Sequence, residues 1–72
     1  MILKVETYSL YGSDTVDYKV YINNVEVDYF DNETVTLYSG TEQILCVLLQ
    51  LDTIEQLYEY LITISDKGEY II

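Results

Sequence analysis

Histidine, arginine and proline are missing from this chain of 72 residues, and cysteine occurs once. Without histidine no side chain titrates near neutral pH in its ordinary state, which removes the usual proton shuttle and any Cys-His nucleophile. Without arginine, and with only three lysines, the chain lacks the cations that neutralise phosphates, so direct binding of nucleic acid is excluded. The lone Cys46 cannot form an internal disulfide. Its neighbours Ile44, Leu45, Val47 and Leu48 mark it as a small buried hydrophobe rather than a reactive thiol, which fits a reducing compartment. Long apolar runs are also lacking. The longest uncharged one, Ile44 to Leu49, is far too short for a bilayer, and Met1-Ile2-Leu3-Lys4-Val5-Glu6 does not read as a secretion leader. These features read as a cytoplasmic protein with no membrane partner. Asn32-Glu33-Thr34 matches a glycosylation acceptor, but without a leader the match is coincidental. Gly12, Gly40 and Gly68 stand alone, each suited to a turn, so no phosphate-cradling loop exists.

What is present is acid. Thirteen carboxylates oppose the three lysines, for a formal net charge of -10. Self-repulsion of this size opposes compaction, so the charge serves solubility or presents a negative field to something positive. Half of the residues are nevertheless apolar, too many for a disordered acidic tail. Residues 1–72 therefore read as a single folded domain near the lower size limit for folding unaided.

The first half predicts antiparallel sheet. Strands alternate about an Asn23-Asn24 turn, which pairs Ile22 with Val25, Val20 with Val27 and Tyr18 with Tyr29 on a core face. The same register puts Tyr21 opposite Glu26, Lys19 opposite Asp28 and Asp17 opposite Phe30 on the outer face. Leu3 to Tyr11 predicts a preceding strand, closed by Gly12-Ser13-Asp14. Thr34 to Tyr38 predicts a fourth, with Val35 and Leu37 inward.

The second half is mixed. Ser39 with Glu42, and Asp52 with Glu55, have capping-box spacing. From Asp52, the residues Ile54, Leu57, Tyr58 and Leu61 share one helical face. Ile44 to Leu51 is either an earlier helix or a strand buried on both faces; its Leu, Gln and Cys content favours helix. The tail from Ile62 predicts a hairpin about Ser65-Asp66-Lys67-Gly68, the alternative being a helix that continues to Ser65 with Gly68 near its cap, followed by a single final strand. The expected fold is α+β: about four to six antiparallel strands on one or two helices, in β-β-β-β-α-β-β order.

No catalytic constellation emerges. Ser9, Ser13, Ser39 and Ser65 have no base to activate them, and paired carboxylates need a cleft that so small a two-layer domain seldom has. Asp28, Asp31, Asn32 and Glu33 cluster as oxygen donors but lack the alternating spacing, glycine and distal Glu of a calcium loop. No cofactor, metal or enzymatic activity is expected. Acids and tyrosines are left as the material of a binding surface: Asp14, Asp17, Tyr21, Glu26, Asp28, Phe30, Asp31 and Glu33, with Lys19 as the cation among them. Ordinary surfaces mix both signs, and aromatic side chains between acids supply anchoring contacts. Asp52, Glu55 and Glu59 form a second acidic stripe, of which the first two suit a helix N-terminus.

In size, charge, α+β make-up and lack of catalytic residues, the whole chain resembles the small acidic inhibitors of bacteriophages, the DNA-mimic and anti-CRISPR proteins. No motif carries the resemblance and no residue role transfers. It implies that carboxylates take the place of phosphates in a basic groove; acids at alternate strand positions lie roughly 6 to 7 Å apart, on the order of the phosphate spacing along one DNA strand. The partner expected is a basic nucleic-acid-binding protein or nuclease. An immunity protein or antitoxin is the alternative, as is a small structural subunit, and surplus apolar residues between Ile44 and Leu51 point to a homodimer.

Overall fold

The computed structural model describes residues 1–9, 14–67 and 69–71, with the side chains of Glu69 and Tyr70 excepted. Three strands, β1 (Ile2–Ser9), β2 (Val16–Ile22) and β3 (Val25–Asp31), form the antiparallel sheet. Two helices follow, α1 (Glu42–Leu49) and α2 (Ile54–Lys67), and a short strand β4 (Glu69–Ile71) returns to the free edge of β1. The strand order is β3-β2-β1-β4. The α+β class agrees with the sequence expectation, whereas the element order is β-β-β-α-α-β.

Asn23 and Asn24 both take positive φ, 51° and 68°, the geometry that matches a two-residue turn to the right-handed twist of its strands. Asn23 also ties the turn to β1, donating its N–H to the Ile2 carbonyl and accepting the Ile2 N–H through Oδ1. Next to the turn the expected register holds, Ile22 against Val25 and Tyr21 against Glu26. It then shifts by one residue. Val20 lies opposite Asp28, Lys19 opposite Tyr29, Tyr18 opposite Phe30 and Asp17 opposite Asp31. Val27 is the extra residue of a β-bulge, and because side chains alternate with period two, one inserted residue exchanges the faces of everything beyond it. The expected pairings of Val20 with Val27, Tyr18 with Tyr29, Lys19 with Asp28 and Asp17 with Phe30 are thereby corrected.

The core lies between one sheet face and the helices. Leu3, Val5, Val20 and Phe30 from the sheet meet Leu45 of α1 and Leu57, Tyr58, Leu61 and Ile64 of α2. Phe30 stacks on Tyr18 with centroids 4.8 Å apart and meets Tyr58 edge-on at 5.2 Å, arrangements that add to plain burial.

Residues 34–38 do not form the predicted fourth strand. Asp31 Oδ1 accepts the N–H groups of Glu33 and Thr34, Thr36 N–H turns back to the Thr34 carbonyl, and Leu37 N–H goes to the Tyr58 hydroxyl. With these donors taken up by a turn and by side chains, the segment meets the backbone of β3 through the bond from Tyr38 N–H to the Tyr29 carbonyl rather than through a ladder. Leu37 is buried as expected; Val35 is exposed.

The apolar run is helical. α1 ends in a left-handed Gln50 with φ 57°, where Gln50 N–H bonds to the Val47 carbonyl and Leu51 N–H to that of Cys46, a Schellman closure that turns the chain towards α2. Ser39 and Glu42 make no capping box, since Thr41 precedes α1 and caps it with no side-chain bond. The box before α2 sits one residue later than predicted: Thr53 Oγ1 accepts the Gln56 N–H, and Gln56 Oε1 accepts those of Thr53 and Asp52. α2 runs through Ile62 to Lys67, so the predicted terminal hairpin is replaced by its helical alternative. Two hydroxyls bond back onto α2's own carbonyls, Thr63 to Glu59 and Ser65 to Ile62, and Ile64 extends the buried stripe of Leu57 and Leu61. The turn residues Gly12 and Ser13, and Gly68, lie outside the described residues. No helix among the described residues is long and apolar enough to cross a membrane.

Candidate functional site

The sheet face turned away from the core is a mosaic of tyrosine, lysine and acid. Register across the strands sets Lys4, Tyr21 and Glu26 in one row, Glu6, Lys19 and Tyr29 in the next, and Tyr8, Asp17 and Asp31 in the third. Lys4 Nζ contacts Glu6 Oε1 at 2.6 Å and lies over the Tyr21 ring. Lys19 Nζ contacts Glu26 Oε1 at 3.6 Å and sits 4.7 Å from the Tyr8 ring centroid. The Tyr8 hydroxyl donates to Glu6. The lysine beside it, then this tyrosine, hold the Glu6 carboxyl below its ordinary pKa, while the bond to Glu6 pushes the Tyr8 phenol upward. Beyond the edge, Tyr38 stacks on Tyr29 with centroids 4.4 Å apart. Lys19 is therefore not the sole cation of this face, because Lys4 shares it. Both lysines pair with carboxylates in the first two rows.

The third row and the loops beside it are acidic. Asp17 and Asp31 are direct cross-strand partners, an arrangement of like charges that opposes sheet formation. Asn32 draws the neighbouring segments together, accepting the Val16 N–H through Oδ1 and donating Nδ2–H to the Asp14 carbonyl. Glu33 accepts the Thr15 hydroxyl at 3.3 Å. Asp14, Asp17, Asp31 and Glu33 thus share one end of the sheet, and neither ion pair of the described lysines on this face reaches them. Asp31 is partly engaged through the two backbone N–H groups it accepts.

Two residues predicted for this surface are elsewhere. Asp28 is 2 % exposed and Phe30 is fully buried, because the Val27 bulge turns both inward. Asp28 Oδ1 accepts N–H from Tyr29 and Ser39, and Oδ2 accepts the Thr41 N–H and hydroxyl. Burial pushes the carboxyl up, yet the hydrogen bonds from Ser39, Thr41 and Tyr29 outweigh it and hold the pKa below the ordinary aspartate value. Asp28 organises the entry to α1. Tyr21 and Glu26 stand on the outer face as predicted, and Asp14, Asp17 and Glu33 are exposed.

Tyr8, Tyr29 and Tyr38 belong to the face but were not in the predicted set. Tyr8 was accessible to the same period-two reasoning carried across from β2 to β1. Tyr29 required knowledge of the bulge, and Tyr38 of a loop contact. On the far side, Asp52, Glu55 and Glu59 are all exposed about α2, while Glu42 accepts the Tyr58 hydroxyl. Among the described residues no three metal-ligating side chains are grouped to hold an ion. No family model, curated protein or solved structure matches this chain.

Proposed function

We propose that the chain is a non-catalytic acidic inhibitor that occupies the cationic nucleic-acid-binding surface of another protein, in the manner of an anti-CRISPR or other DNA mimic. The observation that carries this reading is the gathering of Asp14, Asp17, Asp31 and Glu33 at one sheet end while Lys4 and Lys19 are paired with Glu6 and Glu26. Carboxylates outside the Lys4–Glu6 and Lys19–Glu26 ion pairs focus the negative field of a chain with net charge -10. The adjoining tyrosines, of which Tyr8, Tyr29 and Tyr38 are well exposed, offer the rigid amphipathic contacts that anchor an interface once the field has drawn it in.

The test is capture followed by competition. The tagged protein is used to recover binders from a nuclease-bearing bacterial host, and the recovered protein is then titrated with labelled DNA or RNA. The expected result is a basic nucleic-acid-binding protein whose affinity for its nucleic acid falls as the acidic chain is added. Recovery of no basic protein, or nucleic-acid binding that is undiminished in the complex, rejects mimicry.

A further inference from the structure

The helix α1 is joined to the core by little apolar contact. It buries Leu45, with partial burial of Cys46 and Leu49, whereas α2 buries Leu57, Tyr58, Leu61 and Ile64. An eight-residue helix does not hold itself together in water, so its placement depends on what fastens its entry. Thr41 donates its N–H and its hydroxyl to Asp28 Oδ2, and Glu42 accepts the hydroxyl of Tyr58, which in turn accepts the Leu37 N–H. Both fastening side chains lie outside the segment, one on β3 and one on α2, and both are buried.

The two ends of the segment share a backbone feature. Gly40 before it and Gln50 after it take positive φ, 72° and 57°. A Cβ on Gly40 would meet no atom within 4 Å, so the position calls for glycine because of its conformation and not because of close packing.

We infer that residues 41–49 form a strap, hinged at Gly40 and Gln50 and latched by Asp28 and Tyr58, which opens as a unit while the sheet and α2 stay folded. Opening costs the latch bonds, the burial of Leu45 and part of that of Cys46 and Leu49. Global unfolding also exposes Leu3, Val5, Val20 and Phe30 of the sheet and the four buried residues of α2. Segments with few buried apolar contacts open at lower free energy than the core they rest on, so the strap opens more often than the molecule unfolds. Its movement takes Leu45 out of the core cluster and admits water there.

Native-state hydrogen exchange, read by NMR at one pH over urea concentrations below the unfolding transition, measures both events. The amides of residues 45–49 should exchange through an opening about tenfold or more as populated as the one that exposes β1 and β2, with a shallower dependence on urea because less surface is uncovered. Asp28→Asn weakens the latch and should raise that opening about tenfold or more. Thr53→Ala weakens the cap of α2 and leaves the latch intact, so it should lower the protection of β1, β2 and α2 while the opening of residues 45–49 stays the same. Should D28N lose its fold, Thr41→Ala removes one latch bond alone and should raise the opening about threefold or more. Exchange of residues 45–49 with the free energy and urea slope of β1 and β2, or a folded latch variant whose strap opens no more often, overturns the inference.

Discussion

Thr41 donates its hydroxyl to Asp28 Oδ2 at 2.7 Å, and that contact fastens the middle of β3 to the residue that opens α1. The carboxylate does at a distance of thirteen residues what an N-cap side chain does locally: it takes up backbone donors at the entry to a helix. The bulge at Val27 makes this possible, because in a regular ladder the same aspartate would face the opposite side of the sheet.

Asp28→Asn should therefore behave as a stability variant. The amide retains one acceptor oxygen but leaves the Thr41 N–H without its carboxylate partner, and a loss of about 2 kcal/mol is expected at neutral pH. The pH dependence has a fixed sign. Since folding lowers the Asp28 pKa, its contribution is complete above the unfolded-state value near 3.9 and fades as pH falls through the folded-state value. Urea midpoints of the unaltered protein should drop below about pH 4, and those of D28N should drop less over the same interval. Equal stability of the two at pH 7 would show that the hydrogen bonds to Ser39 and Thr41 contribute nothing.

The cap of α2 offers a cleaner comparison, because two adjacent residues compete for the role. Thr53 bonds the Gln56 N–H at 3.1 Å, so Thr53→Ala should cost about 1 kcal/mol. Asp52→Ala removes a side chain for which no cap bond is described and should change stability by no more than a few tenths of that. Thermal melts of both variants decide the point, and the reverse ranking would restore the cap to Asp52.

This one-residue displacement shows how much the sequence holds and where it stops. Asp52-x-x-Glu55 and Thr53-x-x-Gln56 are equally good capping boxes as strings; the choice depends on where the Schellman turn at Gln50 leaves the chain. Hairpin centre, core residues Val20 and Leu37, and the α2 stripe from Leu57 to Leu61 were legible from period and turn chemistry alone. The bulge was not, because β-branched Val27 fits a regular strand as well as an irregular one. Its effect passes to the candidate site, moving Asp28 and Phe30 inward and Tyr29 outward. Thr34 to Tyr38 reads as strand by composition, yet side chains of Asp31 and Tyr58 take the donors a ladder would use. Ile62 to Ser65 has β-branched residues suited to a strand, and became helix because Ile64 continues an apolar face already facing the core.

Asp17 stands opposite Asp31, so neutralising one of them relieves repulsion across the strand pair. Asp17→Asn is expected to raise the melting temperature by about 1–2 °C at low salt, with the gain shrinking as screening increases. The same change should slow association with a basic partner. A variant that is stabilised and impaired in binding is the signature of a charge kept for recognition at some cost to folding. If D17N lowers the melting temperature, the side chain has a structural role that outweighs the repulsion.

Rates separate the two ingredients of the proposed surface, given a basic partner recovered by capture. The triple variant Asp14→Asn, Asp17→Asn and Glu33→Gln removes exposed acids from the sheet end, so association should slow by roughly tenfold or more with little change in dissociation, because steering depends on the summed field. Tyr38→Ala alters no formal charge and removes the outer member of the Tyr29–Tyr38 stack, so it should instead speed dissociation, where most changes in short-range contact appear. Surface plasmon resonance between about 50 and 500 mM salt measures both, and the association rate of the unaltered protein should fall most steeply with salt. If neither variant differs from the unaltered protein, the partner does not use this end of the sheet. Substitution of Glu55 and Glu59 on α2 is then the next comparison, since these are exposed acids on the opposite side of the molecule.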